Sequence, residues 1–201
     1  MSARPAPPPS VTVGHKPKGI PSALLGMILF VSSEIMFFGG FFGAYFDVRS
    51  QHTVWPPAVP PIEPLEIFPI ATILTILLVT SSFTMQAGFF AIRRGDRRGL
   101  IRWIKVTLAL GAAFLLLQLY DYSQLGFGIR DGIFATFFYT MTGFHFAHVF
   151  GGALFLYVIM MQAYRGEFSA DDYTGVEAAT IYWHFVDVVW IGLFLTYYVL
   201  K

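Results

Sequence analysis

Hydrophobic and polar positions alternate along this chain in long blocks. Residues 23–46 are apolar except for Ser32, Ser33, Glu34 and Tyr45, and Asp47, Arg49, Gln51 and His52 then mark a return to water. Residues 67–92 carry no formal charge, and residues 100–119, 132–164 and 176–200 form three further apolar blocks. A bilayer-crossing helix takes about 20 apolar residues to traverse roughly 30 Å of hydrocarbon. The pattern therefore predicts five transmembrane helices and no sheet, an all-α integral membrane bundle. The fourth block exceeds one crossing, which predicts a tilted helix or a few leading loop residues. Between the blocks lie a loop with five prolines from Pro56 to Pro64, a tight turn at Arg93–Arg98, a loop from Asp121 to Asp131 and another from Arg165 to Asp172. Proline removes a backbone donor and restricts its predecessor, so the first of these cannot be helical throughout. Residues 1–20, with Pro7-Pro8-Pro9, read as a disordered, proline-rich lead-in ahead of a membrane domain at 21–201.

Composition agrees with the pattern and narrows it. Of 201 residues, 56% are hydrophobic and 12% charged, with a mean hydropathy of +0.63; soluble domains carry about 25% charged residues. Five spans consume nearly the whole chain, which excludes a large catalytic domain outside the membrane. The absence of cysteine excludes disulfides, cysteine-ligated iron–sulfur or copper centres, covalent c-type haem and thiol catalysis. The net charge of +1 gives no reason to expect nucleic acid. Charge placement is more informative. With five spans, ten of the thirteen Lys and Arg residues fall on the side of the N-terminus, and only Arg49, Arg130 and Lys201 on the other. This predicts a cytoplasmic N-terminus and an external C-terminus.

The ionisable residues inside the spans carry the functional signal. Glu34 lies near the midpoint of the first span, where an acid costs about 2.5–3.5 kcal/mol on insertion scales. It reads as a proton-handling or partner-binding carboxyl, or else as a neutral acid bonded to a neighbouring helix. His145 and His148 on the fourth span, and His184 and Asp187 on the fifth, are pairs three residues apart and so share a helix face; Glu177 is two turns before His184 on the same stripe. These groups are candidates for interhelical hydrogen bonds. Two histidines and a carboxylate can also ligate a metal, although the two-histidines-around-glutamate hydrolase pattern is absent. Gly39 with Gly43, and Gly143, Ala147 and Gly151, have the four-residue small spacing of close helix packing. Trp55, Trp103, Tyr197 and Tyr198 read as an interfacial aromatic belt, and Arg93–Arg98 as a topogenic loop with anionic lipid as a second use.

Four stretches, in this order, resemble subunit III of the haem-copper terminal oxidases: Ser33-Glu34-Ile35-Met36-Phe37-Phe38; Trp55-Pro56-Pro57 with Pro64-Leu65-Glu66; Thr142-Gly143-Phe144-His145 with His148; and Tyr182-Trp183-His184-Phe185-Val186-Asp187-Val188-Val189-Trp190. The chain is similar to the short bacterial form with five helices, which lacks the first two of the seven-helix form. The resemblance implies an accessory subunit of a proton-pumping cytochrome c oxidase in the bacterial plasma membrane, without haem or copper of its own. Those cofactors are expected in partner subunits, subunit I being the main contact beside subunit II. It further implies bound phospholipid, support of proton uptake by the catalytic subunit, and a cytochrome bc complex as a supercomplex partner. By resemblance Glu34 is the intramembrane carboxyl, and Glu177, His184, Asp187, His145 and His148 are polar helix positions. Asp121 stands where the family usually has a glutamate, and Phe146-Ala147 replaces a small residue followed by leucine. The corresponding subunit of a quinol oxidase or nitric-oxide-reductase complex is an alternative, and a stand-alone proton or metal-ion transporter a more distant one, which the lack of an inverted repeat disfavours.

Overall fold

The computed structural model describes residues 19–57 and 70–200. Within them are five helices long and apolar enough to cross a membrane, and no strand: α1 (Ser22–Ser50), α2 (Thr72–Arg93), α3 (Arg97–Gln124), α4 (Ile133–Arg165) and α5 (Thr174–Phe194), the last prolonged by a wider turn at Leu195–Val199. The expected lead-in at 1–20 and the proline loop beyond Pro57 fall almost wholly outside the described residues. The 33 residues of α4 extend about 50 Å at 1.5 Å per residue, so the surplus over the bilayer is helical. The third span likewise outlasts its apolar block: α3 continues to Gln124, placing Asp121 in helix where the sequence suggested loop.

Local chemistry sets the boundaries. The α2–α3 connection turns at Gly95, whose φ of 78° lies in the left-handed region that favours glycine. Asp96 then caps α3, its Oδ1 accepting the Gly99 N–H at 2.8 Å, which supplies one of the donors that a helix start leaves over. At the other end of the next hairpin, α4 stops at Gly166, φ 83°, a glycine C-cap.

Helix α5 is the most buried span and α1 the least. The buried positions Val176, Ala179, Trp183, Val186, Trp190, Leu193 and Tyr197 repeat at three and four residues, giving α5 a continuous stripe facing α2, α3 and α4. Two tryptophans on it tie the bundle together. The indole N–H of Trp183 donates to Ser81 Oγ on α2 at 2.9 Å, and that of Trp190 donates to Thr75 Oγ1 at 3.0 Å. The Trp183 ring fills the space above Gly111 of α3 and Gly152 of α4, where an added Cβ would lie 2.9 Å and 3.1 Å from it. Further side-chain bonds join α2 to α3 (Thr84 with Thr107, 2.8 Å) and α3 to α4 (Tyr122 to Thr142, 2.8 Å). Without a hydrophobic driving force between helices in lipid, such close packing and polar bonds are what hold a bundle together.

Two packing expectations are corrected here. The glycines against which a neighbouring helix packs tightly include Gly88 (Trp103 Cβ, 3.2 Å), Gly111 and Gly152 (both under Trp183) and Gly192 (Phe42, 3.1 Å), and Gly151 is in ordinary contact with Tyr182 Oη at 3.8 Å, whereas Gly39, Gly43 and Gly143 have open space where a side chain would project; spacing alone cannot tell which face of a helix has a large partner ring. Tyr197 and Tyr198 are buried and belong to the core, with Tyr197 O–H directed to Met141 Sδ at 3.0 Å. Trp55 bonds inward through its indole N–H to Tyr45 Oη at 2.9 Å; Trp103 alone of the four is exposed.

Candidate functional site

Helix α1 buries Val31, Phe38 and Tyr45, a seven-residue repeat that turns one narrow face to the bundle. Glu34 lies between the first two of these and reaches α4, where its Oε2 is 2.9 Å from His148 Nε2. The other ring nitrogen, Nδ1, is 2.7 Å from the Phe144 carbonyl oxygen. A carbonyl can only accept, so Nδ1 carries a hydrogen. One proton therefore remains to be placed between Nε2 and the carboxyl, giving either a neutral acid donating to a neutral imidazole or an imidazolium donating to a carboxylate. Both arrangements make the same bond. The pair is mostly enclosed, with the two side chains 20% and 16% exposed, and aromatic rings surround it. Phe38 meets the imidazole edge-on at 5.1 Å, Phe185 lies at 6.4 Å, and Tyr182 O–H donates to the His148 carbonyl at 3.2 Å.

His184, which immediately precedes Phe185 on α5, is bonded elsewhere: its Nε2 lies 3.0 Å from Gln86 Oε1 on α2. Asp187 is buried on the same helix and faces Ser82 of α2; neither Ser82 Oγ nor Asp187 Oδ1 has a hydrogen-bond partner among the described residues. Glu177 is half-buried in the first turn of α5, where the helix dipole favours an acid. The stripe of Glu177, His184 and Asp187 thus splits, the latter two facing Gln86 and Ser82 of α2 and Glu177 lying at the helix start.

His145 is fully buried between Trp190, stacked at 5.3 Å, and Phe114, edge-on at 5.8 Å; neither of its ring nitrogens has a hydrogen-bond partner among the described residues. Asp121 Oδ2 accepts from Gln118 Nε2 at 3.4 Å within α3. The three transmembrane histidines therefore point to three different surroundings, and no cluster of three or more potential metal-ligating side chains occurs among the described residues. Against α1 and α5 runs an open apolar groove of about 550 Å³, with His184 as its one ionisable lining residue and Val31, Ile35, Phe42, Val188 and Gly192 among its walls. Phe38 and Phe185 line it too, so these two rings stand between the groove and the Glu34–His148 pair.

The sequence model of the family described as "Cytochrome c oxidase subunit III" matches residues 11–201. The chain belongs to the cytochrome c oxidase subunit III family. Among curated proteins it is similar to cytochrome c oxidase subunit 3 of Thermostichus vulcanus, 43% identical over 192 residues covering 95% of this chain and 94% of that one. It is also similar to the same subunit of Synechocystis, 43% identical over 178 residues, 88% of this chain and 75% of that one, and of Corynebacterium diphtheriae, 39% identical over 183 residues, 88% and 87%. Membership makes the chain an accessory, multi-pass membrane subunit of a haem-copper oxidase complex.

For a member of subunit III, the notable geometry is the distribution of polar groups over several helix contacts. Residues that the pattern of charged positions did not single out stand beside these groups: Gln86 on α2 bonded to His184, Ser82 on α2 facing Asp187 without a hydrogen bond from its Oγ among the described residues, Gln118 bonded to Asp121 within α3, and Tyr182 on α5 bonded to the His148 carbonyl. Gln86 and Gln118 are the two glutamines inside otherwise apolar blocks of spans two and three, and that rarity is the signal by which they were findable. Ser82 carries none, because serine is an ordinary constituent of membrane helices, and Tyr182 stood out only as the first residue of the Tyr182–Trp190 stretch.

Proposed function

We propose that Glu34 and His148 act together as a proton-holding pair within the membrane, through which this subunit sustains proton uptake by the catalytic subunit during continued oxygen reduction. The observation that carries the reading is the 2.9 Å contact between Nε2 and Oε2, with the opposite ring nitrogen committed to a carbonyl. A group with both nitrogens free could reorient, whereas this imidazole is anchored and exchanges its remaining proton with one defined partner. The aromatic enclosure limits water around the pair, and intramembrane ionisable residues in such positions are commonly parts of proton relays.

The apolar groove between α1 and α5 is proposed to take a phospholipid acyl chain. Its support is the nearly hydrocarbon lining and its opening to the side of the bundle. Haem and copper belong to partner subunits in this reading, with subunit I the main contact and subunit II a second. The charge asymmetry supports a cytoplasmic N-terminus, and the bacterial relatives support the plasma membrane as the location.

The test is Glu34→Ala in the assembled oxidase, followed by oxygen-electrode recording. Expected are unchanged haem content and initial rate, with activity falling faster over successive turnovers than in the parent complex. Loss of haem at normal subunit stoichiometry, or an unaltered decay, would contradict the proposal.

A further inference from the structure

At the arginine-rich end of the bundle, the α2–α3 turn and the loop between α4 and α5 flank a polar cavity of about 470 Å³ that opens broadly to the surface, lined by Gly95–Arg98 and Phe168–Ala170. The volume falls within the roughly 300–1,000 Å³ range of small-ligand clefts. Its one acid is already engaged: Asp96 Oδ1 caps Gly99 and Oδ2 lies 3.9 Å from Arg102 Nη2. Arg97 and Arg98 have no carboxylate within ion-pair distance among the described residues. The Arg97 guanidinium lies against the backbone of Gly166, in the space a side chain there would take, so the arginine extends from α3 toward the start of the α4–α5 loop. The surrounding segments are basic, with Arg93, Arg94, Arg97, Arg98, Arg102, Lys105 and Arg165 against Asp96, Glu167, Asp171 and Asp172.

We infer that this cavity binds the phosphate of an anionic phospholipid, with Arg97 and Arg98 as its ligands. Guanidinium groups recognise phosphate oxygens through paired N–H donors, and two without carboxylate partners at one cavity provide the donors that this requires. Two features favour a lipid over a free phosphate. The wall is not wholly polar: Phe168 lines the cavity and also packs against the hydrophobic core, so the glycerol and first methylenes of a lipid find an apolar surface. The first turns of α3 also lie at headgroup depth, as shown by exposed Trp103 and by Lys105, whose ammonium sits 5.5 Å from the Tyr164 ring centroid, an arrangement typical of the membrane interface. The site is separate from the Glu34–His148 pair and from the α1–α5 groove, and it stands whether or not either of those functions as proposed.

The test uses the complete oxidase in nanodiscs of phosphatidylcholine carrying a headgroup-photoreactive phosphatidylglycerol, with crosslinks mapped by mass spectrometry. Labelling is expected on the peptides containing Gly95–Arg98 and Phe168–Ala170, and it is expected to be displaced by excess unlabelled phosphatidylglycerol but not by phosphatidylcholine. Arg97→Gln with Arg98→Gln should reduce it several-fold, while Arg93→Gln with Arg94→Gln, which removes equal charge outside the cavity, should leave it near the parent level. Absence of labelling in the parent complex, an equal reduction in both double variants, or displacement by inorganic phosphate would each overturn the inference. Should the Arg97, Arg98 variant fail to assemble, the displacement series on the parent complex decides the matter.

Discussion

At the scale of single residues, the polar positions divide by whether a partner on another helix completes them. Glu34 and His148 were both legible in the sequence, each as an ionisable group in an apolar block, but their pairing was not. They are 114 positions apart, and no local spacing relates them. The histidine pairs showed the opposite failure. His145 and His148 share a helix face by spacing, yet one packs dry between Trp190 and Phe114 and the other bonds to α1, because the side-chain environment depends on rings supplied by α3 and α5. A double-variant cycle follows from the shared proton. If Glu34 and His148 function as a unit, Glu34→Ala, His148→Leu and the combination should accelerate the loss of turnover to the same extent, since effects of groups in one network do not add. Additive acceleration in the double variant, read from the same oxygen traces, would show that they act separately.

Helices bring in what residue types alone do not reveal. The 3–4 repeat on α5 was recognisable as a buried stripe once its surroundings were known, but hydrophobicity on every side of a membrane helix hides which face is internal. Hence the five spans were predictable, whereas their contacts were not: of the glycines in the small-residue spacing, Gly39, Gly43 and Gly143 face open space and Gly151 alone touches a neighbouring side chain, while the tighter approaches occur at Gly88, Gly192 and, under Trp183, at Gly111 and Gly152. The boundaries at Gln124 and Arg165 also exceeded the apolar blocks, since a helix can continue past the hydrocarbon wherever its backbone bonds are satisfied. Gly152→Ala places a Cβ 2.9 Å from Tyr182 Cε1 and 3.1 Å from the Trp183 ring. Overpacking of this kind costs about 1–3 kcal/mol, more than the roughly 0.5–1 kcal/mol that alanine returns in a helix interior. Thermal unfolding in detergent should therefore show a lower midpoint for Gly152→Ala and an unchanged or slightly higher one for Gly143→Ala; equal midpoints would refute the packing assignment.

For the molecule as a whole, the distribution of charge sorts into an arginine-rich end and a small set of enclosed polar contacts, with little left for water-soluble chemistry. The five-helix class followed directly from block lengths because the bilayer fixes how many apolar residues a crossing needs. Orientation has a clean test, since the chain has no cysteine to give background. Gln51→Cys should react with a membrane-impermeant maleimide in intact cells, and Arg94→Cys only after the cells are opened; the reverse pattern would invert the topology. The proposal that this subunit sustains the oxidase without supplying its redox centres is tested most directly by removing it. Oxidase stripped of this chain should retain its haem spectrum and initial oxygen consumption and then lose activity over fewer turnovers than the intact complex, with restoration on adding the chain back. Disappearance of a haem band on stripping, or an identical lifetime with and without the chain, would contradict the account.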